Sequence, residues 1–274
     1  MPHPRALMST HMLNGVIFMV QPSDSWEQPD AYGTPEEEVN HQGPSPILAL
    51  NDDCLEHIMA KLGLQDRLRF ARSCLRFRAS FQASASLHTS LDLSQFRGLT
   101  VWDIRDFFQL FGAHIQTMTG VFKTDHSERL AEFIRDYCSS LRSMQVICNP
   151  QLGLHLHTMI ANKSQLEELQ LSNSDIDDEA LFDLQDLINL RKLNLSRGTL
   201  TGYTLDKLPI SVEELVLDEC PYLSDTYLTD MCLRLPKLRK LSIRNVLKSS
   251  FRIFETMEKE SSCPSLEVLR ITIA

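Results

Sequence analysis

A short phrase, L-x-x-L-x-L, returns along most of this chain, and its return restricts the fold more than any other feature. Clear copies are Leu166-Leu169-Leu171, Leu190-Leu193-Leu195, Val212-Leu215-Leu217, Leu238-Leu241-Ile243 and Leu266-Leu269-Ile271. Looser copies precede them: Leu141-Met144-Val146, Ile115-Met118-Gly120 and Leu91-Leu93. The middle positions fall at 91, 118, 144, 169, 193, 215, 241 and 269, so neighbouring copies lie 22 to 28 residues apart. Apolar residues alternating over a few positions specify a short, half-buried strand. A unit of this length cannot bury its own apolar face, so the copies must stack on one another.

The segments between strands support that register. An apolar anchor followed by a polar cap residue recurs at Leu99-Thr100, Ile176-Asp177, Leu200-Thr201 and Leu223-Ser224, and a helix is expected to begin after each. Leu130, Phe133, Ile134, Tyr137 and Cys138 form one helical stripe; Leu228, Met231, Cys232 and Leu235 form another. Pro236 and Pro264 stop helices just before the next strand.

Charge carries the argument further. The second position of the phrase reads Arg142, Glu167, Arg191, Glu213, Arg239, Glu267, and the third reads Ser143, Glu168, Lys192, Glu214, Lys240, Val268. No single-strand propensity produces that alternation. Parallel strands about 4.8 Å apart would set each charge between opposite charges. The last strand, 268–273, is expected to leave an apolar edge that self-association or a partner would cover.

Ahead of the repeats lies a different texture. The stretch 50–63 predicts a helix capped by Asn51 or Asp52, with Leu55, Ile58, Met59 and Leu62 on one stripe and Gly63 as a left-handed stop. A second helix is expected over about 65–81. Its apolar residues Leu68, Phe70, Ala71, Cys74, Leu75, Phe77 and Phe81 cover more than one face, so it needs two partners. Residues 1–46 read as a disordered acidic tail: Pro22, Pro29, Pro35, Pro44, Pro46 and the run Glu36-Glu37-Glu38 leave too little apolar surface to offset ordering entropy. The apolar run from Met12 to Val20 is too short to span a membrane, and no small-residue cleavage site follows it.

Composition excludes several functions. A formal net charge of −9 argues against a general nucleic-acid binder, which needs a basic face, and gives no reason to expect an anionic membrane partner. The crowd Arg67, Arg69, Arg72, Arg76 and Arg78 is therefore read as facing solvent or an acidic partner. Seven scattered cysteines with no CxxC pair argue for reduced thiols in cytoplasm or nucleus rather than disulfides or structural zinc. His155 and His157 have no third ligand at useful spacing, so no metal is expected. There is no G-x-S-x-G phrase and no phosphate-cradling glycine loop, so neither an enzyme nor a cofactor is expected.

The segment from Leu50 to Ala79 resembles the F-box. The parts that carry the likeness are Leu50, Asp52, Asp53, Leu55, Ile58, Leu62, Asp66, Leu68, Ala71, Cys74, Phe77 and Arg78; Asn51 stands where the family has a proline. The segment from Leu91 to Ala274 is similar to the leucine-rich repeats of F-box proteins, and Cys220-Pro-Tyr-Leu-Ser-Asp225 to their cysteine-containing subtype. The resemblance implies an α/β chain: a tail over 1–46, an all-α F-box over 47–86, and seven or eight repeats over 87–274. The repeats would form a horseshoe with a parallel sheet on the concave face and helices on the convex face. It implies a non-catalytic subunit of an SCF-type ubiquitin ligase, bound through a Skp-type adaptor to a cullin and a RING subunit and holding a protein substrate. The alternative is a repeat scaffold with no ligase role.

Two surfaces are then expected. Adaptor binding falls to Leu50, Leu55, Ile58, Met59, Leu62, Leu68 and Phe77. Positions five and seven of the strands point away from the L-x-L core. They place Gln145, Gln170, Asn194, Val216, Ser242 and Arg270, with Asp218 and Arg244, on the face that would meet substrate.

Overall fold

The computed structural model describes residues 10–13, 16–19, 46–83, 88–122, 127–148, 152–172, 176–246 and 263–273. The chain divides into two compact units, Met1–Ala49 and Leu50–Ala274.

In the first unit, strands β1 (Thr10–Leu13) and β2 (Val16–Met19) pair antiparallel with Leu13 opposite Val16. A 3-10 turn spans Pro46–Ala49. The expectation of an unstructured tail assigned no strand here. The missed signal is Asn14-Gly15, which separates two apolar β-prone runs in the sequence. The proline-rich remainder of that tail lies outside the described residues.

The second unit opens with three short helices, α1 (Asp52–Lys61), α2 (Leu64–Ser73) and α3 (Leu75–Ala83). Asn51 caps α1, its side-chain oxygen accepting from the Cys54 amide at 3.0 Å. Gly63 is not a left-handed stop: its φ of −65° is ordinary extended backbone, and it serves as the N-cap of α2. Nor is the second helix continuous. Cys74 is fully extended between α2 and α3, and Phe70 stacks on Phe77 across the break at 4.0 Å. The break answers the two-faced apolar pattern, because each half can turn its own face to a different neighbour.

Eight parallel strands follow in one sheet, in sequence order from β3 to β10. They are β3 (Ser90–Asp92), β4 (Thr117–Phe122), β5 (Ser143–Cys148), β6 (Glu168–Ser172), β7 (Lys192–Asn194), β8 (Glu214–Val216), β9 (Lys240–Val246) and β10 (Val268–Ile273). The leucine phrase is the core. Met118, Met144, Leu169, Leu193, Leu215 and Leu241 sit side by side in register, each essentially inaccessible to solvent. At the β10 edge, Leu266, Leu269 and Ile271 are only partly buried. This succession of in-register parallel strands with buried L-x-L residues is a leucine-rich-repeat solenoid.

Between strands lie α4 (Val101–Phe111), α5 (Ser127–Tyr137), α6 (Leu152–Ile160) and α7 (Asp225–Arg234). The helices expected after Ile176-Asp177 and Leu200-Thr201 are instead 3-10 turns, Ala180–Leu184 and Leu205–Lys207. These are the two shortest repeats, and 22 or 24 residues leave too few for a strand, its turns and a three-turn helix.

The charge alternation lies where the register puts it. Ser143, Glu168, Lys192, Glu214 and Lys240 are direct cross-strand neighbours. Lys240 bonds Glu214 at 2.7 Å, while Arg142–Glu167 at 3.0 Å and Arg239–Glu267 at 2.7 Å close the adjoining row. These pairs are exposed, so each contributes little alone. Their joint effect is on register, and it can be measured. Lys192→Glu would place a carboxylate between Glu168 and Glu214 and should cost about 1 kcal/mol in urea unfolding, less at high salt. A second change, Glu168→Lys, should recover part of that loss, because the other neighbour of Glu168 is the uncharged Ser143; a cost indifferent to both salt and the second change would show that the row contributes nothing.

Candidate functional site

The three helices of the box divide their apolar residues between two tasks. Leu55 has no exposed surface and Phe77 is buried, both outside the core shared with the repeats, and Phe77 stacks on Phe70 of α2. Met59, Leu68, Ala71 and Phe81 belong to one continuous core with Leu91, Phe107 and Phe111 of the first repeat, and Phe81 meets the Phe111 ring edge-on at 4.7 Å. Of the seven residues expected to bind an adaptor, Leu50, Ile58 and Leu62 keep partly exposed surface, and Leu55, Met59, Leu68 and Phe77 are inward. Sequence reasoning counted Leu75 in the second helix but not among the adaptor contacts; it is the most exposed large apolar side chain among the described residues, at 76 %. Its exposure depends on the break at Cys74, which periodicity did not reveal.

The arginines are not a free basic face. Arg72 donates to Asp103 at 2.7 Å and Asp106 at 2.6 Å, both on α4. Arg76 donates to the Leu50 carbonyl and to Asp52. Arg67 donates to the Leu62 carbonyl at 2.8 Å. The acidic partner anticipated for this helix is therefore in part the chain itself. Asp103 also closes a capping box at the start of α4, accepting from the Thr100 amide and hydroxyl while the Thr100 side chain accepts from the Asp103 amide. Burial works to raise the Asp103 pKa, but the bonds from Thr100 and Arg72 outweigh it and hold the carboxyl below its ordinary value.

Where the box meets the first repeat, a cleft of about 520 Å³ is lined by Leu62, Arg67, His88, Ser90, Gln95 and Phe107, among others. His88 stacks on Phe111. Burial, and then the charge of Arg67, lower its pKa, so the imidazole is neutral near pH 7.

The open face of the sheet carries the second expected surface. Its position-five row runs unbroken from Asp92 through Thr119, Gln145, Gln170, Asn194, Val216 and Ser242 to Arg270. The expected residues are thus brought together, but many of their polar atoms are already engaged. Gln170 donates to Glu168, and the Asn194 oxygen accepts from the Ser196 amide and hydroxyl. Asp218 is buried, accepting from Ser242 Oγ at 2.8 Å, the Arg244 amide at 2.9 Å and the Arg244 guanidinium at 2.6 Å. Its place is in the framework that ties the turn after β8 to strand β9. That pairing in turn raises the Arg244 pKa. Arg244 and Arg270 remain exposed, and a shallow groove of about 80 Å³ runs between Val216, Ser242 and Arg270.

His155 and His157 do not converge: His157 pairs with Asp183 at 2.9 Å, whereas His155 lies near Ser127. Among the described residues no cluster of three or more His, Cys, Asp or Glu is placed to hold a metal, and no helix is long and apolar enough to cross a membrane.

Comparison with known proteins matches residues 47–86 to the F-box domain model. No curated protein matches the chain. One solved structure to which it is similar is the crystal structure of a TLR13–ssRNA13 complex, at 16% identity and a TM-score of 0.42. The likeness covers 69% of this chain and 31% of that one.

Proposed function

We propose that this chain, an F-box domain followed by leucine-rich repeats, is the substrate-recognition subunit of an SCF-type ubiquitin ligase. The box docks on a Skp-type adaptor and through it on a cullin and a RING subunit. The open face of the repeats holds a protein substrate for ubiquitination and proteasomal degradation. The chain itself is non-catalytic. Its contribution is proximity, since a substrate lysine held near a ubiquitin thioester reacts at high effective concentration. The reading assigns it to cytoplasm or nucleus. The observation that carries it is the F-box match at 47–86 on helices that leave Leu50, Ile58, Leu62 and Leu75 accessible.

Capture of a purified Skp-type adaptor tests the reading. Ile58→Asp and Leu75→Asp, each made singly, should weaken capture by about 10-fold or more, because a charge would be desolvated in an apolar contact. Both variants should keep the wild-type melting temperature. Leu55→Asp serves as a contrast: Leu55 is fully buried, so this change should unfold the box. Failure of the folded wild type to capture adaptor would sink the ligase reading. It would favour a ligase-independent repeat scaffold, which the polar open face alone would also serve.

A further inference from the structure

We infer that the segments following β6, β7 and β8 form a binding site for a single basic side chain, a lysine of a protein partner, held in an aromatic cage. The site lies apart from the box and from the strand residues of the open face.

A cleft of about 210 Å³ opens between the turn Ala180–Leu184, the residues around Tyr203 and helix α7. That is below the size of a metabolite pocket and suits one long side chain. Phe182, Tyr203 and Tyr227 line it, with Asp206, Lys207 and Asp230. Two of the rings are far from buried, Phe182 at 45 % and Tyr203 at 63 % exposed. Tyr203 and Tyr227 stand nearly perpendicular, 80° apart with centroids 5.7 Å apart, so together they form two walls of a corner. Ring faces carry negative charge density and attract a cation placed over them.

The corner is built rather than incidental. The Asp178 carboxylate accepts from the Thr201 amide and hydroxyl and the Gly202 amide, and the Thr204 hydroxyl donates to the Asp178 carbonyl at 2.6 Å. These bonds pin the loop that carries Tyr203. Gly202 has φ +94°, and a Cβ there would come within 3.3 Å of the Tyr227 Cβ. Glycine is thus what lets the two tyrosine-bearing segments approach.

Charge chooses the occupant. Lys207 is held by Asp206 at 2.8 Å, whereas Asp230 is exposed and has no ion-pair partner among the described residues. Asp186 lies just after the neighbouring turn, Asp183 on that turn is paired with His157, and the chain as a whole is acidic. With Lys207 and Asp206 cancelling each other, an anionic or purely apolar group would meet the unpaired Asp230 carboxylate without gain. A lysine stem can lie along the rings with its ammonium toward Asp230.

The test titrates the full chain with a short Gly/Ser peptide bearing one central lysine, against the same peptide with norleucine, followed by NMR or calorimetry. The lysine peptide should bind saturably in the millimolar range or tighter, and the norleucine peptide should not. Tyr203→Ala and Asp230→Asn alter exposed groups and should each weaken binding about 3- to 30-fold without changing the melting temperature. Tyr203→Phe should retain most of the affinity. Equal binding of the norleucine peptide would overturn the proposal. So would unchanged affinity in both weakening variants, or no saturable binding of the lysine peptide.

Discussion

Asp103→Ala should destabilise the second unit by about 2–4 kcal/mol, a large effect for one side chain. The carboxylate is 3 % exposed and accepts from the Thr100 amide, the Thr100 hydroxyl and Arg72. Losing a cap costs about 0.5–2 kcal/mol, and removing one partner of a buried charged contact adds to that. The Arg72 share is discounted, because that side chain is 38 % exposed and keeps Asp106. Since Arg72 belongs to the box and Asp103 to the first repeat, Asp103→Ala should also loosen the box. Hydrogen exchange in α2 should rise more than in β6 to β8. The linkage has a definite sign. The folded carboxyl titrates below its ordinary value of 3.8, so its contribution is complete above that pH and is lost as pH falls through the folded pKa. Acid unfolding of the wild type should therefore converge with that of the variant toward low pH. A constant gap from neutral pH down to full acid unfolding would contradict that assignment.

Asp218→Ala should cost about 2–3 kcal/mol and should do so in the absence of any substrate. Most of this comes from the Ser242 hydroxyl and the Arg244 amide, which would lose a charged acceptor at a buried position. The exposed Arg244 guanidinium adds little. Asp218→Asn keeps a carbonyl oxygen for those two donors and should recover about half of the loss. Urea midpoints at pH 7 decide the matter. A variant as stable as the wild type would return Asp218 to the open face as a free recognition group. Should the loss appear as expected, weakened substrate capture by an Asp218 variant would have to be separated from partial unfolding, and Arg270, exposed in the same surface, is the cleaner probe.

The repeat and its register were written in the residue pattern alone. Period-two apolar residues at a spacing of 22 to 28, with alternating charges beside them, admit one stacking that buries the middle residue of every strand from β3 to β9. The position-five row was legible for the same reason, since a strand's side chains alternate faces whatever packs on them. The Asn51 cap was legible because capping is local. Tertiary structure decided what a local pattern cannot. The extended backbone at Cys74 splits one expected helix into two and leaves Leu75 in solvent. Apolar periodicity reports that a residue is buried and is silent about what buries it, so Met59 and Leu68 looked like partner contacts although the first repeat covers them. Two short repeats exchanged helices for 3-10 turns because chain length, not propensity, limited them. Arg72 and Asp103 are 31 positions apart in the sequence, and Asp218 and Arg244 are 26 apart. Nothing local pairs such residues; only the packed backbone sets each donor against its acceptor, and with that decides which polar groups are left for a partner.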